Sequence, residues 1–336
     1  MMAQMADSVL RDSWLPVTNA RDIGTDAPVG LTLLDTPIVL WRTPDGSLSV
    51  ARDQCPHRGA ALSLGELRGN TLMCGYHGWR YDGGGQCVLQ PAMPGRTPPP
   101  NAHLEMFAVC ERYGVVFVAL GRPPAELPDY FPEWDEPDAR QYHDEPVVVH
   151  ACGPRIVENF LDMAHFPFVH PDVLGAESHP EVRDYNVIAK ADGIELTDCW
   201  FWQPAATPGS TGGADVEYRY RVPHPYVATL TKVPADEAAL GFSLMIMASP
   251  VDEEHCRAWM IGAFTDREVS VEDFCAFNHR IFLQDIPILE SQRPRQLPLD
   301  PTAELAQKAD RASAAYRRWL AELGLTYGTI PQEVHQ

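Results

Sequence analysis

Basic residues are scarce in this sequence. Its 336 residues include 26 lysines and arginines against 46 aspartates and glutamates, which gives a formal net charge of −20 at pH 7. Nucleic-acid-binding proteins neutralise phosphates with lysine and arginine, and anionic membrane surfaces attract the same two residues. The charge therefore argues against a nucleic-acid partner and against binding to a membrane surface.

Long apolar runs are also missing. No stretch approaches the roughly 20 apolar residues that a membrane-spanning helix requires. The N-terminus, MMAQMADSVLRDSW, lacks the apolar centre of a signal peptide. The eight cysteines are spread too thinly to indicate a disulfide framework. These features predict a soluble protein of the reducing cytoplasm.

The order of the segments predicts an α+β protein with two domains. Residues 1–120 contain short β-branched runs such as IVLWRT and VVFVAL, separated by the turn signals PDGS and DGGG, which favour a small antiparallel β domain. Residues 121–145 hold five prolines and eight acidic residues, which are typical of a linker or a surface segment. Residues 146–336 predict a second domain of strands and helices.

Within the second domain, periodicity separates helices from strands. RIVENFLDMAHF is predicted to be helical and to end at Pro167. Short strand-like runs, among them CWFWQ and FSLMIM, follow between about residues 183 and 265. Apolar residues spaced three to four apart then predict long helices over 271–292 and 303–323.

Two mixed pairs of metal-binding residues stand out in the first domain. Cys55-x-His57 is followed, after sixteen residues, by Cys74-x-x-His77. Two thiolates and two imidazoles satisfy a tetrahedral zinc ion, but each pair here combines one cysteine with one histidine. A Rieske [2Fe–2S] cluster requires that combination, with two cysteines on one iron and two histidines on the other. Four glycines surround the pairs, as tight loops around a cluster require: Gly59, Gly65, Gly75 and Gly78.

The segments CPHRG and CGYHGW resemble the two ligand loops of the Rieske family. The resemblance implies that Cys55, His57, Cys74 and His77 bind a [2Fe–2S] cluster, with a zinc site or a ligand-free β module as alternatives. Residues 51–96 contain five arginines and only three acidic residues. Such a locally basic face is able to steer an acidic partner, although chance variation explains so short a window equally well.

A second constellation lies in ENFLDMAHFPFVH, residues 158–170. Oxygen-activating non-haem iron typically uses two histidines and one carboxylate. His165 and His170 would lie about 140° apart on one continuous helix, so the break expected at Pro167 is needed to bring them together. Glu158, Asp162 and His165 share one helix face. Taken alone, the segment is equally typical of packed core histidines.

The pattern Asn159-x-x-Asp162-x-x-His165-x-x-x-x-His170 resembles the catalytic motif of Rieske non-haem iron oxygenases. The resemblance implies that both histidines bind a mononuclear iron and that Asn159 lies near it. It also implies that Asp162 links His165 to the cluster-binding His77 of an adjacent protomer. In that family the two metal centres of one chain lie too far apart for this link, so a head-to-tail homotrimer is expected.

The third iron ligand must come from a distant part of the chain. Asp285 is our first choice, because it lies among apolar residues of a predicted helix beside the helix-breaking Pro287. The family places its carboxylate in a C-terminal helix within a stretch like the QD found here. Glu290 and, less directly, Glu158 remain alternative ligands. A further alternative is that Asp285 is an ordinary surface residue of the helix and binds no metal.

The resemblance covers nearly the whole chain. In its short length, the chain resembles the homotrimeric branch that includes vanillate and dicamba O-demethylases. The resemblance implies an N-terminal antiparallel Rieske domain and a C-terminal helix-grip (START-like) catalytic domain. The expected function is that of a terminal oxygenase, which uses O2 to hydroxylate or demethylate a hydrophobic aromatic, heterocyclic or polycyclic molecule. Electrons are expected from NAD(P)H through a flavin reductase, with or without a ferredoxin.

Three alternative functions remain at this level. The first is a ring cis-dihydroxylating dioxygenase, which is more typical of longer chains that pair with a small subunit. The second is a Rieske electron-transfer protein with a non-catalytic second domain. The third is a zinc-stabilised carrier of hydrophobic ligands, since the helix-grip sheet also serves as a carrier fold.

Overall fold

A computed structural model describes residues 8–204, 213–233 and 241–332. The chain divides into two compact units, Met1–Leu127 and Pro128–Gln336. Residues 121–145, the predicted linker, are partly built into the second unit. They contain a short 3₁₀ helix at Pro132–Asp135 and a strand at Arg140–His143, whose backbone pairs with a strand more than 100 residues later.

The first unit consists of small antiparallel sheets, as the sequence predicts. One helix, α1, spans Ser8–Arg11. The strands are β1 Leu15–Asn19, β2 Val29–Leu33, β3 Thr36–Arg42, β4 Leu48–Arg52, β5 Glu66–Arg68, β6 Thr71–Met73, β7 Arg80–Tyr81, β8 Cys87–Leu89, β9 Ala108–Arg112 and β10 Val115–Ala119. They form three sheets, with the orders β1-β10-β9, β2-β3-β4 and β5-β6-β7-β8.

The β5–β8 sheet carries the two ligand loops. One loop precedes this sheet, and the other joins β6 to β7. A buried cluster that includes Trp41, Leu72 and Tyr81 packs around Cys55 and Cys74. The loops therefore rest on a rigid apolar base, and this base sets the position of both thiols.

The second unit is built on one large antiparallel sheet. Its strands are β11 Arg140–His143, β12 Val147–Val149, β13 Asn186–Lys190, β14 Gly193–Gln203, β15 Ala214–His224, β16 Val227–Val233, β17 Phe242–Pro250 and β18 Cys256–Phe264. The order is β11-β18-β17-β16-β15-β14-β13, and β12 also pairs with β18. A parallel pair, β19 Leu297–Pro298 and β20 Thr329–Ile330, lies outside this sheet.

Four helices accompany the large sheet: α2 Gly153–Leu161, α3 Phe166–Val169, α4 Val271–Ser291 and α5 Arg311–Leu323. α2 packs against β16 and β17, and α4 packs against β11 and β12. The register aligns Tyr220, Leu230 and Leu244 in one row across three strands. This row faces a cavity between the sheet and the helices. The predicted α+β class, with its antiparallel sheets and C-terminal helices, is confirmed.

The helix predicted over RIVENFLDMAHF ends earlier than expected. α2 stops at Leu161, and Asp162 has an extended backbone, with its carboxylate accepting a hydrogen bond from the amide of Ala164 at 2.8 Å. Pro167 lies in the first turn of the next helix, α3, instead of ending α2. Proline suits the first turn of a helix, where its missing N–H is not needed. The local turn at Asp162, and not the proline, therefore breaks the helix.

The two C-terminal helices also differ from expectation. α4 continues through Pro287 to Ser291, so proline neither ends it nor prevents a further turn. α5 begins at Arg311, eight residues later than predicted, and a 3₁₀ turn with a capping box at Gln307 precedes it. Leu305, which lies within the predicted helix 303–323, is outside α5 and fully exposed.

Among the described residues, no helix combines the length and apolarity needed to cross a lipid bilayer.

Candidate metal centres and substrate cavity

The two ligand loops of the first unit have the same backbone construction. The amide of Cys55 donates to the carbonyl of Ala60, and the amide of Gly59 donates back to Cys55, both at 2.8 Å. In the second loop, the amide of Cys74 donates to the carbonyl of Trp79 at 2.8 Å, and the amide of Gly78 donates to the carbonyl of Cys74 at 3.0 Å. Gly59 and Gly78 have φ values of +73° and +67°, which favour glycine. Each loop thus presents one cysteine and one histidine from a tight turn.

Two further glycines allow the loops to approach each other. A Cβ atom on Gly65 would lie 2.0 Å from the carbonyl oxygen of Met73, and one on Gly75 would lie 2.9 Å from that of Leu64. Neither residue is in the left-handed region, so they are needed for close packing and not for backbone freedom. Backbone conformation thus explains Gly59 and Gly78, and close packing explains Gly65 and Gly75.

The side chains of the two loops are arranged in depth. Cys55 and Cys74 are buried, and the Tyr81 hydroxyl lies 3.2 Å from the Cys55 sulfur. The rings of His57 and His77 lie nearer the surface, with centroids 4.4 Å apart, and His57 stacks on Trp79. Thiols inside and imidazoles outside match the two ends of a Rieske cluster.

The donor set fits a two-metal cluster better than a single zinc ion. Of the described residues, only His165, His170 and Asp285 bring three such ligand atoms within 4.8 Å of one another. No three of the four loop residues bring their ligand atoms that close, as expected if the cysteines and the histidines bind different metal atoms. Nδ1 of His57 is buried and has no hydrogen-bond partner, as expected for a ligand atom that faces a metal.

The second constellation gathers residues from three elements. Asp162 follows α2, His165 and His170 bracket α3, and Asp285 lies within α4. The Nε2 atoms of the two histidines are 3.2 Å apart, and Oδ1 of Asp285 lies 3.4 Å from His165 Nε2 and 3.1 Å from His170 Nε2. Three ligand atoms therefore form a small triangle, which is the arrangement of a 2-His-1-carboxylate site.

Hydrogen bonds on the far side of each imidazole orient it. Nδ1 of His165 lies 3.3 Å from the Asp162 carboxylate, and Nδ1 of His170 lies 2.9 Å from Oε1 of Gln284. Both partners are acceptors, which places a ring proton on each Nδ1 and leaves Nε2 as the atom available to a metal. In the sequence, Gln284 had no assigned role. Its position beside Asp285 was the available signal.

The charges at the triangle favour the binding of a cation. Burial by itself raises the pKa of a carboxyl group, but hydrogen bonds with His165 and His170 outweigh it and lower the pKa of Asp285. For His165, burial favours the neutral ring, yet hydrogen bonds to Asp162 and Asp285 raise its pKa to about 9. A buried negative charge thus faces two imidazole nitrogens, and a metal ion can replace the ring proton.

The remaining sequence candidates separate clearly. Nδ2 of Asn159 lies 3.4 Å from Oδ1 of Asp285, at the edge of the triangle. Glu158 instead makes a bidentate ion pair with Arg317, at 2.6 and 2.9 Å. Glu290 accepts the amide of His150 at 3.0 Å and is not among the converging ligand atoms.

An apolar cavity adjoins the triangle. It encloses about 660 Å³ of space not filled by protein atoms, including its mouth. His165, His170 and Asp285 form part of its wall. Most of the other lining side chains are apolar or aromatic, and they include Phe160, Phe166, Leu230, Phe242, Met260 and Phe282. Such a cavity suits a hydrophobic small molecule.

A second depression lies on the other side of His165 and Asn159, which line both spaces. It contains Asp162, Leu305 and the ion-paired Arg317. His165 therefore borders both the apolar cavity and a larger, more polar cleft, and its partner Asp162 lines the cleft.

Two domain models match the chain. The Rieske [2Fe-2S] domain matches residues 13–108, and the vanillate O-demethylase oxygenase C-terminal domain matches residues 149–326. The first match spans the two ligand loops, and the second spans the ligand triangle and the cavity.

Several individual proteins are also similar to this chain. The probable methylxanthine N7-demethylase NdmC of Pseudomonas sp. (strain TJI-51) is 39% identical over 65% of this chain and 77% of its own length. The methylxanthine N1-demethylase NdmA of Pseudomonas putida is 31% identical over 94% of this chain and 89% of its own. The structure of Pseudomonas putida CBB5 NdmA with caffeine superimposes with a TM-score of 0.81 at 29% identity, covering 93% and 90% of the two chains.

Proposed function

The chain belongs to the Rieske oxygenases of the vanillate O-demethylase type, and we propose that it oxidatively demethylates an N-methylated aromatic heterocycle. The Rieske resemblance seen in the sequence is thereby confirmed, as is the expectation of an oxygen-incorporating oxidoreductase. Oxygenases of this type use a [2Fe–2S] cluster, a mononuclear iron, O2 and electrons that a reductase takes from NAD(P)H. The observation that carries the proposal is the ligand triangle in the wall of an apolar cavity.

We assign the metal ligands from the donor geometry. His165, His170 and Asp285 would hold the mononuclear iron, because their ligand atoms lie 3.1–3.4 Å apart. Cys55, His57, Cys74 and His77 would hold the cluster. When bound, the iron supplies oxygen activation, and the cluster supplies single electrons.

The overall reaction balances as an oxidative demethylation. One N–CH3 group, O2, NAD(P)H and a proton give N–H, formaldehyde, NAD(P)⁺ and water. One oxygen atom enters a methyl C–H bond, and the resulting hemiaminal releases formaldehyde. The similarity to methylxanthine demethylases and the aromatic lining of the cavity favour a flat, methylated heterocycle over a bulky polycyclic substrate.

The protein's own groups prepare this chemistry. The apolar walls exclude water and orient the substrate beside the triangle. Asp162 holds the proton on Nδ1 of His165 and so keeps its Nε2 free for the metal. Asn159 contacts Asp285 and restrains that carboxylate.

We propose that electrons reach the iron between subunits of a homotrimer. Leu64 and Tyr76, beside the outer histidine His77, are 82% and 65% exposed, which is unusual for large apolar side chains next to a metal site. The cleft that contains Asp162 also displays the fully exposed Leu305. In a head-to-tail assembly, His77 of a neighbouring copy would contact Asp162.

Reduction of the cluster requires a separate protein. Arg58 follows His57 in the first ligand loop, and Arg80 begins β7 directly after the second loop, so both add positive charge near the cluster edge of an acidic chain. We therefore propose an acidic ferredoxin or flavin reductase as the electron donor. All eight cysteines are unpaired, which agrees with a cytoplasmic location.

A product screen tests the proposal. The purified protein, with its cluster intact and ferrous iron supplied, is reduced chemically and exposed to O2 with N-methyl heterocycles, methoxyarenes, steroids or unsubstituted arenes. We expect a product lighter by CH2, with one equivalent of formaldehyde, from an N-methyl heterocycle, and none from the variant Asp285→Ala. A product that gains two oxygens and two hydrogens would identify a ring dihydroxylase instead. Turnover confined to steroids or methoxyarenes would reject the heterocyclic substrate.

A further inference from the structure

Gln284 makes a contact that the mechanism above does not use. Its side-chain oxygen lies 2.9 Å from Nδ1 of His170, and this imidazole is 99% buried, with a relative exposure of 1%. An amide oxygen only accepts hydrogen bonds, so Nδ1 must carry the ring proton. Nε2 of His170 is then the ring atom available to a metal, and it lies 3.1 Å from Oδ1 of Asp285.

The position of Gln284 on α4 makes this contact specific. Gln284 and Asp285 are consecutive, and consecutive helical residues point about 100° apart. They therefore reach the same imidazole from two sides, one at Nδ1 and the other at Nε2. α4 thus supplies one proposed iron ligand and also sets the orientation of another. Ser270 caps the start of this helix by accepting the amide of Asp273 at 3.0 Å.

The two histidines are supported in chemically different ways. His165 borders the polar cleft, and its Nδ1 faces a carboxylate, Asp162. His170 is more deeply buried, and its Nδ1 faces a neutral amide. A second carboxylate beside Asp285 would place two negative charges in a buried space, which is costly. An amide orients the imidazole without that cost.

From this geometry we infer that Gln284 is a positioning residue of the iron site, which fixes the tautomer and ring orientation of His170 and thereby sets the affinity for ferrous iron. The inference rests on the proposed function, because it takes His170 as an iron ligand. Hydrogen-bond partners of metal-bound histidines typically change metal affinity by about 10- to 100-fold when they are removed.

The test measures ferrous iron binding in protein with an intact cluster, by competition with a chelator of known affinity. We expect Gln284→Leu, which has no acceptor, to bind iron about 10- to 100-fold more weakly than the wild type. Gln284→Glu keeps an acceptor, and the bound ferrous ion offsets its added negative charge, so this variant should retain most of the affinity. Leu283→Ala, at the exposed neighbouring position of α4, is the matched control and should bind normally.

A second readout separates positioning from a purely structural role. Thermal unfolding is compared with and without ferrous iron, and the nitric-oxide adduct of the site is examined by electron paramagnetic resonance. If Gln284 acts by positioning, Gln284→Leu lowers the melting temperature only in the presence of iron, because iron stabilises the variant less. The nitrosyl signal should also change shape.

Three results would overturn the inference. The first is wild-type iron affinity in Gln284→Leu. The second is an equal loss of melting temperature with and without iron, which indicates a structural role. The third is loss of affinity in Gln284→Glu as large as in Gln284→Leu. By contrast, a wild-type protein that binds no iron beyond its cluster would reject the proposed function itself.

Discussion

The Nε2 atoms of His165 and His170 lie 3.2 Å apart, with the two residues at opposite ends of the short, proline-containing helix α3. A metal bound by two imidazoles at about 2.1 Å and at right angles would separate their nitrogens by about 3 Å. α3 thus spaces the two nitrogens as two neighbouring ligands of one ion would be spaced. Asp285 completes the triangle from a helix more than 100 residues away.

Removal of the carboxylate should empty one metal site and spare the other. We expect Asp285→Ala to lose the mononuclear iron and all turnover, because two imidazoles alone bind ferrous iron weakly. The cluster absorbance should remain, since its four proposed ligands lie in the other unit. Iron counting and visible spectroscopy measure both effects.

Glu290 offers a matched control for this experiment. Its carboxylate accepts the amide of His150 and does not reach the triangle, so Glu290→Gln should keep the iron. Iron loss in Glu290→Gln, with retention in Asp285→Ala, would exchange the roles of the two residues.

Asp162 should matter for electron transfer more than for metal content. We expect Asp162→Asn to keep both metals but to lower turnover by about 10- to 100-fold, because a neutral amide supports His165 less well and weakens the link between subunits. Single-turnover oxidation of the reduced cluster measures this step directly. Asp192→Asn, at an exposed position, should behave like the wild type. An unchanged cluster oxidation rate in Asp162→Asn would argue against the route.

Close packing of the ligand loops should make Gly65 intolerant of a side chain. In Gly65→Ala the new Cβ would meet the Met73 carbonyl, which cannot move without displacing the second loop. We expect a loss of about 1–3 kcal/mol in the free energy of unfolding and a fall in cluster content. Gly84→Ala, where the nearest atom is a side-chain oxygen at 3.4 Å, is the control. Equal cluster content in both variants would contradict the prediction.

The buried His224 should make the stability of the protein depend on pH. Burial lowers its pKa from 6.5 to about 3, while Nδ1 accepts the amide of Tyr226 at 3.1 Å. Between these two values the unfolded chain binds one more proton than the folded chain. The free energy of unfolding therefore falls as the pH drops below 6.5, at up to about 1.4 kcal/mol per pH unit.

Denaturant unfolding at several pH values between 7 and 4 tests this contribution. We expect a smaller pH slope in His224→Asn than in the wild type, because the variant lacks the titrating ring but keeps an acceptor. His179→Asn, at an exposed position, should retain the wild-type slope. Identical slopes in all three proteins would show that His224 does not contribute.

The proposed trimer predicts a defined mass and a sensitive contact. Light scattering should give about three times the 37.3 kDa of the chain. Leu305 is fully exposed in the single chain and lines the cleft that contains Asp162, so Leu305→Asp should weaken assembly and slow turnover. Ile188→Asp, at a 44% exposed position on the outermost strand β13, should leave the mass unchanged. A monomeric wild type with full activity would reject the trimer.

Features that depend on local spacing could be predicted from the amino-acid sequence alone. In the loops of Cys55 and Cys74, the cysteine, the histidine and the turn glycine lie within six residues of one another, so backbone hydrogen bonds within each loop already set their geometry. The Asp162–His165 contact was also predicted from a separation of three residues, but the shared helix face was wrong: α2 ends at Leu161, and the contact forms across the turn that follows it.

Contacts between residues that are distant in the sequence became apparent only in the folded structure. The choice between Asp285 and Glu290 depended on which face of α4 packs towards α3, and sequence periodicity did not resolve residues five positions apart beside a proline. The contact from Gln284 to His170 and the lining of the cavity were likewise hidden. Such contacts arise from packing between helices and strands, and the free energy of that packing is shared by the whole domain and is not encoded at any single position.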